Sequence, residues 1–210
     1  MNENEIDEEL SQGLKPWDCL LIFGPPGSGK GTQGKFLCSA GNHYHLSSGD
    51  IFRGLSPDSA AGKIFHRYAS KGHLVPDEVT VKIWYHYACG LISTNRYFPK
   101  EQFLLLDGVP RTIEQAKLLE KYINVKRIIV LETKNINGLI QRMKRRALIE
   151  KRHDDSDEKV LKTRMEVYEK ETSQLLSYYP DQLISRFNAD QKPLEVLRDI
   201  LIELAKDLSR

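Results

Sequence analysis

Cys19-Leu20-Leu21-Ile22-Phe23 runs without a break into Gly24-Pro25-Pro26-Gly27-Ser28-Gly29-Lys30-Gly31-Thr32. An apolar run followed at once by a glycine-rich turn and a lysine reads as a buried strand that delivers the chain to a phosphate-cradling loop. Glycines let such a loop turn its backbone N–H groups inward around anionic oxygens, and a helix starting near Lys30 adds the positive end of its dipole. Lys30 then supplies a mobile point charge for the outer phosphates of a nucleoside triphosphate. A purely structural turn is the alternative, but it asks neither for a lysine directly after a glycine nor for a strand directly before.

The spacing departs from the general phosphate loop in one place: Gly31 follows the lysine, and the hydroxyl comes one residue later, at Thr32. With that displacement, residues 24–33 resemble the nucleoside monophosphate kinases, and adenylate kinases most closely. The resemblance implies ATP binding by Gly27, Ser28, Gly29, Lys30, Gly31 and Thr32, with Thr32 touching phosphate and Mg2+ held largely through water.

A chain of 210 residues can bury one sizeable core and is better suited to one domain with small insertions than to two. Lys plus Arg number 31 against 29 Asp plus Glu, and a net charge of +2 excludes the broad basic field that nucleic-acid binding needs. Cys19, Cys38 and Cys89 are far apart and show no zinc-ligand spacing, so they read as reduced thiols of a cytoplasmic protein. Residues 1–15 are polar and acidic, the opposite of a targeting segment, and predict a flexible tail ahead of a kinase domain over 16–210. No apolar run approaches a membrane span.

Short apolar runs alternate with amphipathic stretches, the pattern of parallel strands joined by helices. Strands are predicted at 18–23, 103–107, 127–131 and 183–187, with a fifth near His45 and Leu46. Helices are predicted at 30–39, 77–94, 113–121, 135–147, 157–177 and 193–208, with Asp77 and Asp190 within reach of N-cap or pre-helix positions. The resulting fold class is α/β, a three-layer arrangement like that of the P-loop nucleoside triphosphate hydrolases, with a parallel five-stranded sheet between helices. Residues 47–76, broken by Gly54, Pro57, Gly62, Gly72 and Pro76, read as an inserted subdomain, which the resemblance makes the monophosphate-binding insertion.

Further motifs follow in the family's order. In Leu46-Ser47-Ser48-Gly49-Asp50-Ile51-Phe52-Arg53, Arg53 can clamp a phosphate bidentately and Ser48 can meet a base edge; taken alone the segment reads equally as a plain N-cap. In Lys71-Gly72-His73-Leu74-Val75-Pro76-Asp77 the resemblance implies nucleobase contact at His73, Leu74 and Val75 through backbone carbonyls. In Leu104-Leu105-Leu106-Asp107-Gly108-Val109-Pro110-Arg111-Thr112 a strand ends in an acid and a turn presents an arginine. There the resemblance implies that Asp107 orients the waters of bound Mg2+ and that Gly108, Val109, Pro110 and Arg111 meet AMP. Gln115, one helical turn on, would hydrogen-bond its base. Read alone, an acid that ends a strand can also be a plain turn former, and Val109 stands where the family usually has an aromatic residue.

Arg142 and Arg146 lie on one helical face, followed by Arg152 and Arg164. Arginines directed at one point repel unless an anion sits among them. The resemblance assigns Arg142 and Arg146 to ATP, Arg152 and Arg164 to AMP, and makes Arg111, Arg142, Arg152 and Arg164 catalytic with Lys30. Lys144, Arg145 and Lys151 read as an ordinary solvated face. Five residues separate Arg146 from Arg152, so 146–155 reads as a short lid without structural zinc, stiffened by Ala147 and Lys151 where the family usually has glycines. Near the end, Phe187-Asn188-Ala189-Asp190-Gln191-Lys192 would meet the donor's adenine, which adds Lys192 to the ATP set. Trp84, with Ile83, Tyr87 and Leu91 at helical intervals, reads as core.

The family implied is therefore a monomeric enzyme for reversible, Mg-dependent phosphoryl transfer from ATP to AMP, serving adenine nucleotide homeostasis and needing no membrane. Two alternatives stand beside it: a UMP/CMP kinase of the same architecture, disfavoured by Ser48 and Gln115, and a non-catalytic adenine-nucleotide sensor.

Overall fold

The computed structural model describes residues 16–150 and 157–208. Its centre is a parallel sheet of five strands, β1 (Trp17–Phe23), β2 (Tyr44–Ser47), β3 (Leu104–Asp107), β4 (Ile123–Glu132) and β5 (Ile184–Asn188), in the order β2-β3-β1-β4-β5. The central strand β1 is apolar throughout its second half because both of its faces are covered. Cys19, Leu21 and Phe23 point into one hydrophobic cluster, and Leu20 and Ile22 into the other, on the opposite face.

Eight principal helices connect and cover the strands: α1 (Lys30–Gly41), α2 (Ser48–Arg53), α3 (Ala60–Ala69), α4 (Asp77–Ser93), α5 (Ile113–Leu119), α6 (Ile136–Glu150), α7 (Glu158–Val167) and α8 (Pro193–Leu208). Trp84 of α4 and Ala116 and Leu119 of α5 fill the first cluster, and Leu37 of α1 with Val196, Ile200 and Leu204 of α8 fills the second. The molecule is thus three-layered, and Trp84, fully buried, belongs to the core as its spacing indicated.

Three local differences from the sequence reading have physical causes. Strand β4 begins at Ile123, four residues before the predicted start, because its polar Asn124 and Lys126 are anchored to Asp18 of β1 at 2.7 and 3.3 Å. A register shift between Cys19 and Leu20 lets β4 skip Lys126 there. The predicted helix 157–177 keeps its course but opens into a π turn at Tyr168–Thr172, followed by a short α segment Ser173–Leu175 and a 3-10 turn Leu176–Tyr178. Asp77 is the first residue of α4 after Pro76 and makes no cap; its carboxylate instead accepts from Thr112 Oγ1 at 2.9 Å and Gln115 Nε2 at 2.8 Å. Asp190 likewise leaves α8 alone and accepts from Thr133 Oγ1 and the Lys134 N–H.

Cys19, Cys38 and Cys89 are thiols, not joined in a disulfide. Burial pushes the thiols of Cys19 and Cys38 up, the latter to about 12, which keeps both protonated and unreactive. Among the described residues no helix is long and apolar enough to cross a membrane.

Candidate active site

Parallel pairing brings the motifs together. Ile22 and Ser47 both stand opposite Asp107, so the ends of β1, β2 and β3 lie side by side. The loop 24–29, Ser48 and the turn 108–111 therefore emerge at one sheet edge, the place where open α/β sheets hold ligands. A cleft of about 460 Å³ opens there.

One wall of the cleft is the phosphate loop. Gly27 sits at φ +80°, and a Cβ there would stand 2.8 Å from the Leu139 carbonyl oxygen, so a side chain is excluded both by conformation and by space. Gly24, Gly27, Gly29, Lys30, Gly31 and Thr32 face the cleft. Ser28 does not: it is buried and its N–H donates to the Pro25 carbonyl at 3.1 Å, while its Oγ has no partner among the described residues.

Lys30 Nζ donates to the carbonyls of Gly24 at 2.7 Å and Pro25 at 3.1 Å. Burial pulls its pKa down to about 8; Asp107 opposes that shift, and Arg111, Arg146 and Arg164 add to it. Lys30 thus feels the positive charge of three arginines, which Asp107 offsets in part and a bound anion would offset further.

Asp107 also faces the cleft. Its burial would raise the carboxyl, but His45, Lys30 and Arg111 outweigh burial and hold it below the usual carboxylate range. His45 Nε2 stands 3.6 Å from Asp107 Oδ2, an electrostatic contact longer than a hydrogen bond. Among the described residues no group of three metal-ligating side chains gathers. A cation beside Asp107 would thus take its other oxygens from phosphate and water, the manner in which Mg2+ is commonly held.

The lining also includes Ser48, Arg53, His73, Leu74, Val75, Gly108, Pro110, Arg111 and Gln115. Gly108 lies at φ +81°, where a Cβ would fall 2.7 Å from Ser48 Oγ. Ser48 Oγ donates to the Gly108 carbonyl at 2.7 Å, and Arg111 Nε donates to the same oxygen at 2.8 Å. Gln115 is 1% exposed; its Oε1 accepts from the Arg111 N–H at 2.8 Å and its Nε2 donates to Asp77, which leaves one lone pair and one N–H for a ligand. Arg53 Nη2 donates to Asp50 Oδ1 at 2.6 Å.

Arg142 and Arg146 of α6 and Arg164 of α7 complete the lining, and Arg142 Nη1 also reaches the Ala189 carbonyl at 3.4 Å. Besides Ser28, two expected residues are not brought to the cleft. Val109, joined to Pro110 by a cis peptide, is fully buried in the first hydrophobic cluster. Lys192 stands outside the lining, in the turn before α8, where its N–H donates to Glu195 Oε2 at 2.8 Å. Arg152 with His153, Asp154 and Asp155, the acidic segment 1–15 and the second half of the predicted lid, 151–155, lie outside the described residues.

The cleft also has lining that sequence reading missed. Arg145 joins its two neighbouring arginines there, signalled only by standing three residues after Arg142. Tyr168 and Thr172 enter from the π turn, and Thr172 Oγ1 donates to the Arg111 carbonyl at 3.1 Å. Pi turns of this kind cluster at functional sites.

Comparison with known proteins agrees with the geometry. The sequence model of the adenylate kinase family matches residues 22–184. The chain is 38% identical over 169 residues to an adenylate kinase of Flavobacterium johnsoniae, covering 78% of this chain and 85% of the relative. It is 37% identical over 167 residues to one of Corynebacterium urealyticum, covering 79% and 88%, and 36% identical over 169 residues to one of Parasynechococcus marenigrum, covering 78% and 85%. With most of both partners aligned and the phosphate loop, acid and arginines meeting in one cleft, the chain belongs to the adenylate kinase family and catalyses phosphoryl transfer of that type.

Proposed function

We propose that the protein transfers the terminal phosphoryl group of Mg-ATP to AMP, reversibly, giving two ADP. The observation that carries this reading is the shared cleft, which the phosphate loop with Lys30 lines together with Ser48, Arg53, Arg111 and Gln115. Such a site asks little covalent chemistry of the protein; it aligns an acceptor oxygen with the donor phosphorus and neutralises the spreading negative charge. The loop N–H groups and Lys30 hold the donor phosphates, with Arg142 and Arg146 beside them. Arg53, Arg111 and Arg164 hold the acceptor phosphate, and Ser48 and Gln115 read its base. Bound Mg2+, with its waters oriented by Asp107, would neutralise charge on the donor phosphates.

Segments 47–76 and 146–155 are the parts proposed to close over the substrates and exclude water, since open access would divert the phosphoryl group to hydrolysis. Arg152 belongs to the second of these and joins the acceptor set by the same proposal. The protonated thiols of Cys19 and Cys38 support a reducing compartment such as the cytoplasm, in which the protein is proposed to work as a monomer.

The test is ADP formation at fixed Mg-ATP with AMP, CMP, UMP, GMP or no acceptor, with Arg111→Ala as control. Turnover with AMP, lost in Arg111→Ala, is expected. Preference for CMP or UMP would move the assignment to a pyrimidine kinase, and silence with every acceptor despite tight ATP binding would leave a sensor.

A further inference from the structure

Arg142 lines the cleft from α6, and its Nη1 stands 3.4 Å from the carbonyl oxygen of Ala189. The arginine is exposed, and a free guanidinium on a long stem has about 2 kcal/mol of rotamer entropy to lose, so what it leans on decides how much of the time it faces a ligand. Ala189 is 4% exposed and opens the turn that joins β5 to α8. Residues 189–192 themselves stand outside the cleft lining, so Arg142 is the link between that turn and the site.

The turn is fastened at its start, middle and end. The Ala189 N–H donates to the Glu132 carbonyl at 2.7 Å and so extends the pairing of β5 with β4. The Asp190 carboxylate uses its oxygens separately: Oδ1 accepts from Thr133 Oγ1, and Oδ2 accepts from the Lys134 N–H at 3.2 Å. Thr133 and Lys134 lie just ahead of α6, so Asp190 ties the turn to the helix that carries Arg142. At the far end the Pro193 carbonyl accepts from Gln33 Nε2 at 2.8 Å. Gln33 is 2% exposed and stands in the first turn of α1, the helix that starts at Lys30. Three parts of the donor site, the phosphate-loop helix, the turn and the arginine helix, are thus joined through side chains. The Asp190 carboxyl is held below the usual carboxylate range by Thr133 first, then by the Lys134 N–H and the charge of Arg142, which places the anion within electrostatic reach of the guanidinium.

We propose that the turn 189–193 is a brace that aims Arg142 at the donor phosphates, with Asp190 and Gln33 as its positioning residues. This proposal rests on the assignment of Arg142 to the donor made above. Neither residue meets the reacting atoms. A guanidinium already resting on the Ala189 carbonyl has less freedom to lose when ATP binds, so the brace contributes to donor affinity and leaves the acceptor untouched.

The same bonds also order the turn itself, so the test must separate aiming from folding. Asp190→Asn keeps the volume and removes the charge and one acceptor. Gln33→Met removes the donor to Pro193 together with Oε1, which is buried without a partner among the described residues, so the thermal midpoint should change little. Each variant would be made in the wild-type and in the Arg142→Ala background, and kcat, both KM values and the thermal midpoint measured. Each single variant should raise the KM for ATP about twofold to fivefold, the lower range of couplings between neighbouring side chains. The KM for AMP and kcat should stay within about twofold, the pattern of lost uniform binding of the donor. In the Arg142→Ala background neither substitution should raise the KM for ATP further. An equal rise with and without Arg142, or a parallel rise in the KM for AMP, would overturn the brace and leave the turn a part of the fold. An unchanged KM for ATP in either single variant would overturn the role given to that residue. Arg142→Ala with a wild-type KM for ATP would instead remove the donor assignment of Arg142, and the brace with it, a result read before any cycle is closed.

Discussion

Thr172 Oγ1 donates to the carbonyl of Arg111 across 61 positions of sequence, at 3.1 Å. Gln115 Oε1 accepts from the Arg111 N–H at 2.8 Å, so the backbone of this arginine is gripped on both sides while its side chain reaches into the cleft. The π turn at Tyr168–Thr172 brings the threonine there, close behind Arg164 on the same helical stretch. Arg111 is thereby tied to the helical stretch that carries Arg164, a second arginine of the proposed acceptor set.

Thr172→Val keeps the shape of the side chain and removes the donor. Because Thr172 is 7% exposed and the valine removes a buried hydrogen bond to the Arg111 carbonyl, stability should fall by about 1 to 2 kcal/mol. Activity should show a rise in the acceptor's KM of about threefold to tenfold through misplacement of Arg111, with the KM for ATP unchanged. Thr172→Ser should restore both, and denaturant melts beside steady-state kinetics read the two effects separately. A valine variant with wild-type acceptor KM would show that Arg111 needs no such support.

Lys30 gives a pH prediction. Its folded-state pKa, near 8, lies below the 10.5 of the free side chain. Below about pH 8 both folded and unfolded chains carry the charge, and the cost of burying it is present in full. Between about 8 and 10.5 the unfolded state binds more protons, so the Lys30 contribution makes stability rise with pH over that window. Activity moves the other way: kcat/KM, which reports free enzyme, should fall above about pH 8, while kcat, which reports the phosphate-occupied site, should hold to higher pH. Lys30→Met should lower kcat by roughly 10² to 10³ with the far-UV circular dichroism retained, and coincident alkaline limbs for kcat and kcat/KM would remove Lys30 as their origin.

The sheet was legible where strands are buried on both faces, because Leu20–Phe23 and Leu104–Leu106 must then be uninterrupted apolar runs. The first half of β4 was hidden, since Asn124 and Lys126 make it look like a loop until Asp18 is seen beside them. Contiguous motifs such as the phosphate loop and Asp107-Gly108 carry their chemistry in adjacent residues. Thr172 does not: it enters the cleft from an element whose local sequence only says helix, and meets its partner in space. Lys192 and Val109 fail for the converse reason, as a place in the sequence order does not fix which way a side chain turns.

Asp107→Asn tests the cation. The amide keeps the volume and removes the charge that Lys30, His45 and Arg111 stabilise. The Mg2+ concentration for half-maximal activity should rise about tenfold or more, as losses of outer-shell ligands do. Lys30 should also titrate lower in the variant, because Asp107 is the group that raises it. An unchanged Mg2+ dependence would mean that other groups order the metal's waters.

Trp84 tests the core, and its chemistry predicts unequal losses for two substitutions. The ring is fully buried, 5.9 Å from Trp17 and 6.4 Å from Tyr122, and its Nε1–H has no acceptor among the described residues. Trp84→Ala deletes the whole ring and should cost about 3 to 5 kcal/mol, since the surrounding aromatics cannot collapse into the space. Trp84→Phe also leaves a void, but it removes the unsatisfied donor, whose burial already costs about 1 to 3 kcal/mol. The two terms oppose, so the phenylalanine variant should lose under about 1.5 kcal/mol and keep wild-type KM values for both nucleotides. Urea melts of the three proteins measure the ordering. A phenylalanine variant as unstable as the alanine one would show that Trp84 Nε1 is satisfied in solution, by a buried water among the rings.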